Sequence, residues 1–75
     1  MKELYLALDI FRSYGWSESL PQFFLGEIRI YGYYPEKMLQ HDVETLKDYH
    51  FHWISPEDDE NGEGFFSCLW YELNN

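Results

Sequence analysis

The spacing of apolar residues switches along this chain between a period near 3.6 and a period of 2, and the switches divide it into elements. The helical period is clearest over residues 36–51. At about 100° per residue, Met38, Leu39, Val43, Leu46 and Tyr49 share one sector, while Gln40, His41, Glu44, Lys47 and Asp48 fill the opposite side. That pattern predicts one helix laid on a core. Pro35 suits its first turn, where a missing N–H costs nothing, and Glu36 sits at the positive end of the helix dipole. Asp42 is the misfit, a carboxylate inside the apolar sector.

Elsewhere alternation dominates. Over residues 3–12, Leu4, Leu6, Leu8 and Ile10 alternate with Tyr5, Ala7, Asp9 and Phe11, which favours a strand. The same segment has good helix formers and a Gly15 to end a helix, so a helical N-terminal segment over a three-stranded sheet is the alternative. Residues 15–22 read as a loop. Residues 23–33 read as a strand with Phe24, Ile28 and Ile30 on one face and Leu25, Glu27, Arg29, Tyr31 and Tyr33 on the other, interrupted by Gly26 and Gly32. After the helix, residues 50–55 alternate again and Pro56 stops them. A polar loop with Asn61-Gly62 as its turn signal leads to a returning strand over residues 65–73. The order strand, strand, helix, strand, strand predicts an α+β domain: one antiparallel sheet with a helix packed on one face.

Length and composition restrict the function. The 75 residues make one domain near the lower limit of what folds without cross-links, and a lone Cys68 cannot form an internal bridge. Sixteen aromatic residues are the means of building a core from so short a chain. The opening residues lack the pattern of a secretory leader, and no apolar run approaches the roughly 18 residues of a membrane span. With an unpaired cysteine, the expected compartment is a reducing cytoplasm. The net charge is −9, and residues 48–75 hold seven acids and no Lys or Arg. Direct binding to nucleic acid or to an anionic membrane is disfavoured, since both require cationic side chains. A basic protein partner is favoured instead.

Chemistry-bearing residues are few. His50 and His52, two apart on a predicted strand, point to one side and with His41 or Cys68 form a candidate transition-metal donor set, without the tight spacing of zinc sites. Glu57, Asp59 and Asn61 before Gly62 copy the first half of a calcium loop, but its twelfth position falls on Cys68 instead of a carboxylate. Cys68 with a histidine, or Asp58 beside Asp59, is all that nucleophilic or acid–base catalysis has to work with, and there is no phosphate-cradling loop. The expectation is no enzyme, no cofactor and no metal.

Binding fits the composition better. Glu57, Asp58, Asp59, Glu60 and Glu63 form an acidic array on a loop, with Trp53 and Trp70 as candidate buried anchors. The leading expectation is an acidic inhibitor that occupies the nucleic-acid groove of a basic protein, such as a nuclease, as a DNA mimic. In size and charge profile the chain is similar to phage or mobile-element anti-restriction and anti-CRISPR proteins, and to immunity proteins against nuclease toxins, although no residue motif is shared. The second expectation is an assembly module that forms a homodimer through an uncovered aromatic face.

Overall fold

The computed structural model describes residues 2–15 and 21–73. The domain is α+β, with four antiparallel strands in one open sheet and its helices on a single face. The elements are α1 (Lys2–Ser13), β1 (Gln22–Phe24), β2 (Glu27–Ile30), α2 (Gln40–Asp48), β3 (His52–Ile54), β4 (Phe65–Leu69) and α3 (Trp70–Leu73). Two 3₁₀ turns, Pro35–Lys37 and Pro56–Asp58, precede α2 and follow β3.

The strand expected over residues 3–12 is instead α1. Leu4, Ala7 and Phe11, at spacings of three and four, are buried, whereas Leu6, central to the alternating reading, is exposed. Helix propensity decides between the two periods here: Ile10 is the segment's one β-branched residue, and the rest is rich in Leu, Ala, Glu, Lys and Arg. Glu3 and Arg12 complement the dipole at the two ends.

The fourth strand comes from the segment expected to be a single strand over residues 23–33. Gly26, at φ +81°, lets the chain reverse between Phe24 and Glu27, which pair across the turn. The sheet order is β1-β2-β4-β3. Since β4 is antiparallel to both β2 and β3, those two strands run in the same direction, and α2 is the crossover between them. The returning strand ends at Leu69, and the expected strand residues Trp70–Leu73 form α3.

The register Ile28 with Cys68, and Ile30 with Phe66 and Trp53, sets one face of the sheet against the helices. Phe11 of α1 is the centre of this core. Its ring lies 5.0 Å from Tyr33, 5.2 Å from Phe66 and 5.6 Å from Phe51, in the tilted and edge-on arrangements that aromatic quadrupoles favour. Leu46 of α2 is fully buried beside them.

The predicted helix over residues 36–51 is shorter at both ends. Leu39 is an extended N-cap residue, 70% exposed, rather than a core position. At the other end His50 adopts φ +72°, its N–H donates to the Lys47 carbonyl at 2.9 Å and the Phe51 N–H to the Leu46 carbonyl at 2.8 Å. This is a Schellman cap, with the fully buried pair Leu46 and Phe51 as its apolar contact and histidine in glycine's usual place. The imidazole uses that position: Nε2 is 3.2 Å from a Glu3 carboxylate oxygen in α1, and Nδ1 is 3.3 Å from one of Glu72 in α3. Three helices therefore meet at one side chain.

Candidate functional site

The loop between β3 and β4, residues 55–64, carries the acidic array. Pro56 starts the 3₁₀ turn that holds Glu57 and Asp58, and the Asp59 carboxylate organises the remainder of the loop. Asp59 is only 8% exposed. Its oxygens accept hydrogen bonds from the backbone N–H groups of Asn61 (3.1 Å), Glu63 (3.2 Å) and Gly64 (3.0 Å). Burial alone would raise its pKa, but these donors and the nearby Arg29 charge outweigh that and hold the carboxyl below its ordinary range. The structure thus separates Asp59, which faces its own loop, from Glu57, Asp58, Glu60 and Glu63, which are exposed.

The same geometry leaves the calcium reading without its central ligand, because both Asp59 oxygens are engaged by backbone donors. It also gives Trp53 a structural place. The ring packs on Phe66 at 5.2 Å and Tyr34 at 5.8 Å, and a Cβ built on Gly64 would lie 2.8 Å from its edge. Trp53 is the half-buried floor of the acidic loop. Trp70 is not part of that neighbourhood. It begins α3 at the far end of β4, roughly 17 Å along the strand from the loop, and stacks on Phe23 with ring centroids 6.0 Å apart.

On the sheet face away from the helices, Arg29 connects the loop to the strands. Its guanidinium lies between the rings of Phe24 (4.7 Å) and Phe65 (4.4 Å). Nε donates to Glu27 at 2.8 Å and Nη1 to the Tyr31 hydroxyl at 3.2 Å, while Ser67 donates to the second Glu27 oxygen. Arg29, Asp58, Asp59, Glu60, Asn61 and Phe65 line a shallow polar cleft of about 230 Å³. The period-2 placement of Glu27 and Arg29 in β2 and of Tyr31 just after it was the sequence signal for this cluster, and pairing with β4 supplies the rest.

The remaining sequence candidates are dispersed. His50 caps α2 and His52 lies in β3, so they do not form the same-side strand pair, and His41 is exposed on α2. Among the described residues, no three His, Cys, Asp or Glu side chains are disposed to hold a metal ion. Cys68 is fully buried. Burial, reinforced by the Glu72 and Glu3 carboxylates, pushes its thiol up to about 11, which removes the thiolate that nucleophilic chemistry needs near neutral pH.

None of Glu57, Asp58, Glu60 and Glu63 is ion-paired to a Lys or Arg among the described residues, and the nearest base, Arg29, is engaged by Glu27. No described helix is long and apolar enough to cross a membrane. What the fold and loop define is a small α+β domain presenting a braced acidic turn. No protein-family model matches the chain, and no curated protein or solved structure shows significant similarity to it.

Proposed function

We propose that this protein is an acidic inhibitor that binds a basic, nucleic-acid-handling protein and occupies its charged groove in place of nucleic acid. The supporting observation is the loop itself: four exposed carboxylates without cationic partners among the described residues, on a turn whose conformation is set in advance by the Asp59 hydrogen bonds. Preorganisation matters because a loop ordered before binding loses less entropy on binding. A groove lined with Lys and Arg for phosphates is the complementary surface, and the net charge of −9 steers encounter with it. A restriction or CRISPR nuclease, or a nuclease toxin neutralised by an immunity protein, offers such a groove.

The test is capture of partners from the native host on tagged protein, at low and high salt. Wild type should retain a basic nucleic-acid-binding protein that salt or added DNA releases. A variant with Glu57, Glu60 and Glu63 changed to Gln and Asp58 to Asn should lose that partner while keeping its melting temperature, since exposed loop charges contribute little to folding. Retention of the partner by this variant would sink the proposal. Asp59 is left unaltered, because replacing it would disturb the loop rather than its charge.

A further inference from the structure

Asn61 is the chain's only asparagine followed by a glycine, and that pair carries a chemistry of its own. The glycine nitrogen of such a pair attacks the asparagine side-chain carbonyl, unobstructed because glycine has no Cβ. A bond forms between that nitrogen and Cγ, and the side-chain nitrogen leaves as ammonia, taking up the proton that the glycine amide gives. The product is a five-membered succinimide ring. Water then opens either ring carbonyl, which yields aspartate, or isoaspartate, whose main chain runs through Cβ.

We propose that Asn61 is a deamidation site which the native loop holds closed, so that the chain is modified there only when the loop opens. Burial gives no protection, because Asn61 is exposed and a Cβ built on Gly62 has no atom within 4 Å. Conformation does. The Gly62 N–H donates to the Asp59 carbonyl at 2.9 Å, closing a turn over residues 59–62. Its central residues, Glu60 and Asn61, both have negative φ, since His50 is the one non-glycine residue with positive φ among the described residues. The turn is therefore of type I, with the ψ of Asn61 at about 0°. At that angle the Gly62 nitrogen eclipses the Asn61 nitrogen, whereas ring closure requires it to eclipse Cβ. The Asp59 carboxylate fixes the geometry from both sides, accepting from the N–H groups of Asn61 at 3.1 Å and of Glu63 at 3.2 Å. The bond to the Asp59 carbonyl also holds the proton that attack must remove, and the neighbouring Glu60 and Glu63 carboxylates oppose the amide anion. Opening leaves a lasting mark. Either product adds a negative charge to the acidic array. Isoaspartate also lengthens the main chain by one carbon, just ahead of the Glu63 and Gly64 N–H groups that Asp59 binds.

Mass spectrometry of peptides spanning Asn61, after incubation at neutral pH in native buffer and in concentrated urea, decides it. Native wild type should deamidate at Asn61 at least about 10-fold more slowly than the urea-unfolded chain, roughly the factor that one broken hydrogen bond is worth. Asp59→Ala, which removes both acceptor oxygens, should speed the reaction in native buffer. Equal rates in native and unfolded wild type, or no reaction at Asn61 in the unfolded chain, would overturn the proposal. So would an Asp59→Ala protein that keeps both the circular dichroism and the slow rate of wild type. The comparison of native with unfolded wild type needs no variant and stands even where Asp59→Ala fails to fold. No partner enters these rates, so the result is independent of the inhibitor reading.

Discussion

The hydroxyl of Tyr14 donates a hydrogen bond to the carboxylate of Asp42, joining the end of α1 to the first turn of α2 across 28 residues of sequence. The same hydroxyl accepts the Leu39 N–H at 3.0 Å, satisfying a donor at the start of the helix. Burial, then the bond to Asp42, raises the Tyr14 pKa, so the phenol stays a donor. Asp42 belongs in the apolar sector of α2 because this partner waits there. Tyr14→Phe should cost about 1–2 kcal/mol. In a double-mutant cycle with Asp42→Asn, measured by urea unfolding, the coupling should exceed about 0.5 kcal/mol. Additive losses would mean that the two side chains act separately.

Asp59 links stability to acidity. Its folded pKa lies below the ordinary value of 3.8, so its contribution is fully present above that pH and is lost as pH falls toward the folded value. Asp59→Asn cannot ionise. The difference in melting temperature between wild type and Asp59→Asn should be constant from neutral pH to about pH 5 and shrink below about pH 4. A difference that does not change through the acid range would show that the charge on Asp59 contributes nothing to the fold.

Two glycines of the loop make a matched comparison. Gly62 and Gly64 both have positive φ, +71° and +77°, but a Cβ on Gly62 meets open space, whereas one on Gly64 meets Trp53 at 2.8 Å and Pro56 at 3.0 Å. Gly62→Ala should cost about 1 kcal/mol from backbone strain alone, and Gly64→Ala about 2–4 kcal/mol from strain plus overpacking. Equal losses by thermal or chemical unfolding would rule out the close approach of Trp53.

The Cys68 thiol, fully buried and pushed up to about 11, should react with a disulfide reagent at pH 8 only as fast as the protein opens. Reaction rates should therefore rise in destabilised variants such as Gly64→Ala. Rapid labelling of the native protein, at the rate of a free thiol, would place Cys68 outside the core.

The α+β class, the core face of α2 and the acidic loop with its flanking strands were legible because each depends on local period or composition. Leu46 is a good instance: its position in the 3.6-residue pattern alone put it in the core, where it is fully buried. What was illegible depends on pairing across the chain. The segment from Leu4 to Phe11 satisfies both periods; its helix propensity favours α1, and packing of Phe11 among Tyr33, Phe51 and Phe66 completes the choice. Asp59 looked like its four acidic neighbours, since nothing local says which carboxylate will turn inward to collect the loop's N–H groups. Trp53 and Trp70 looked equivalent, yet β4 places them at opposite ends of the sheet. The clue to the hairpin was Gly26 followed by a charged residue, which a continuous strand did not need.

The strand order also governs the moment at which this protein can exist. Of the four strands, β4 is made last, and it is the one that joins the β1–β2 hairpin to β3. Ile28 must therefore wait for Cys68, forty residues later, before the second side of its strand is paired. Without β4 the hairpin and β3 share no ladder, and Phe11, which packs on Phe66 at 5.2 Å, loses that contact. Such long-range closure is slow compared with helix formation and brings no partial reward. A chain truncated before Phe65 should therefore lack the pairing that joins the β1–β2 hairpin to β3, and with it the sheet face on which the core packs.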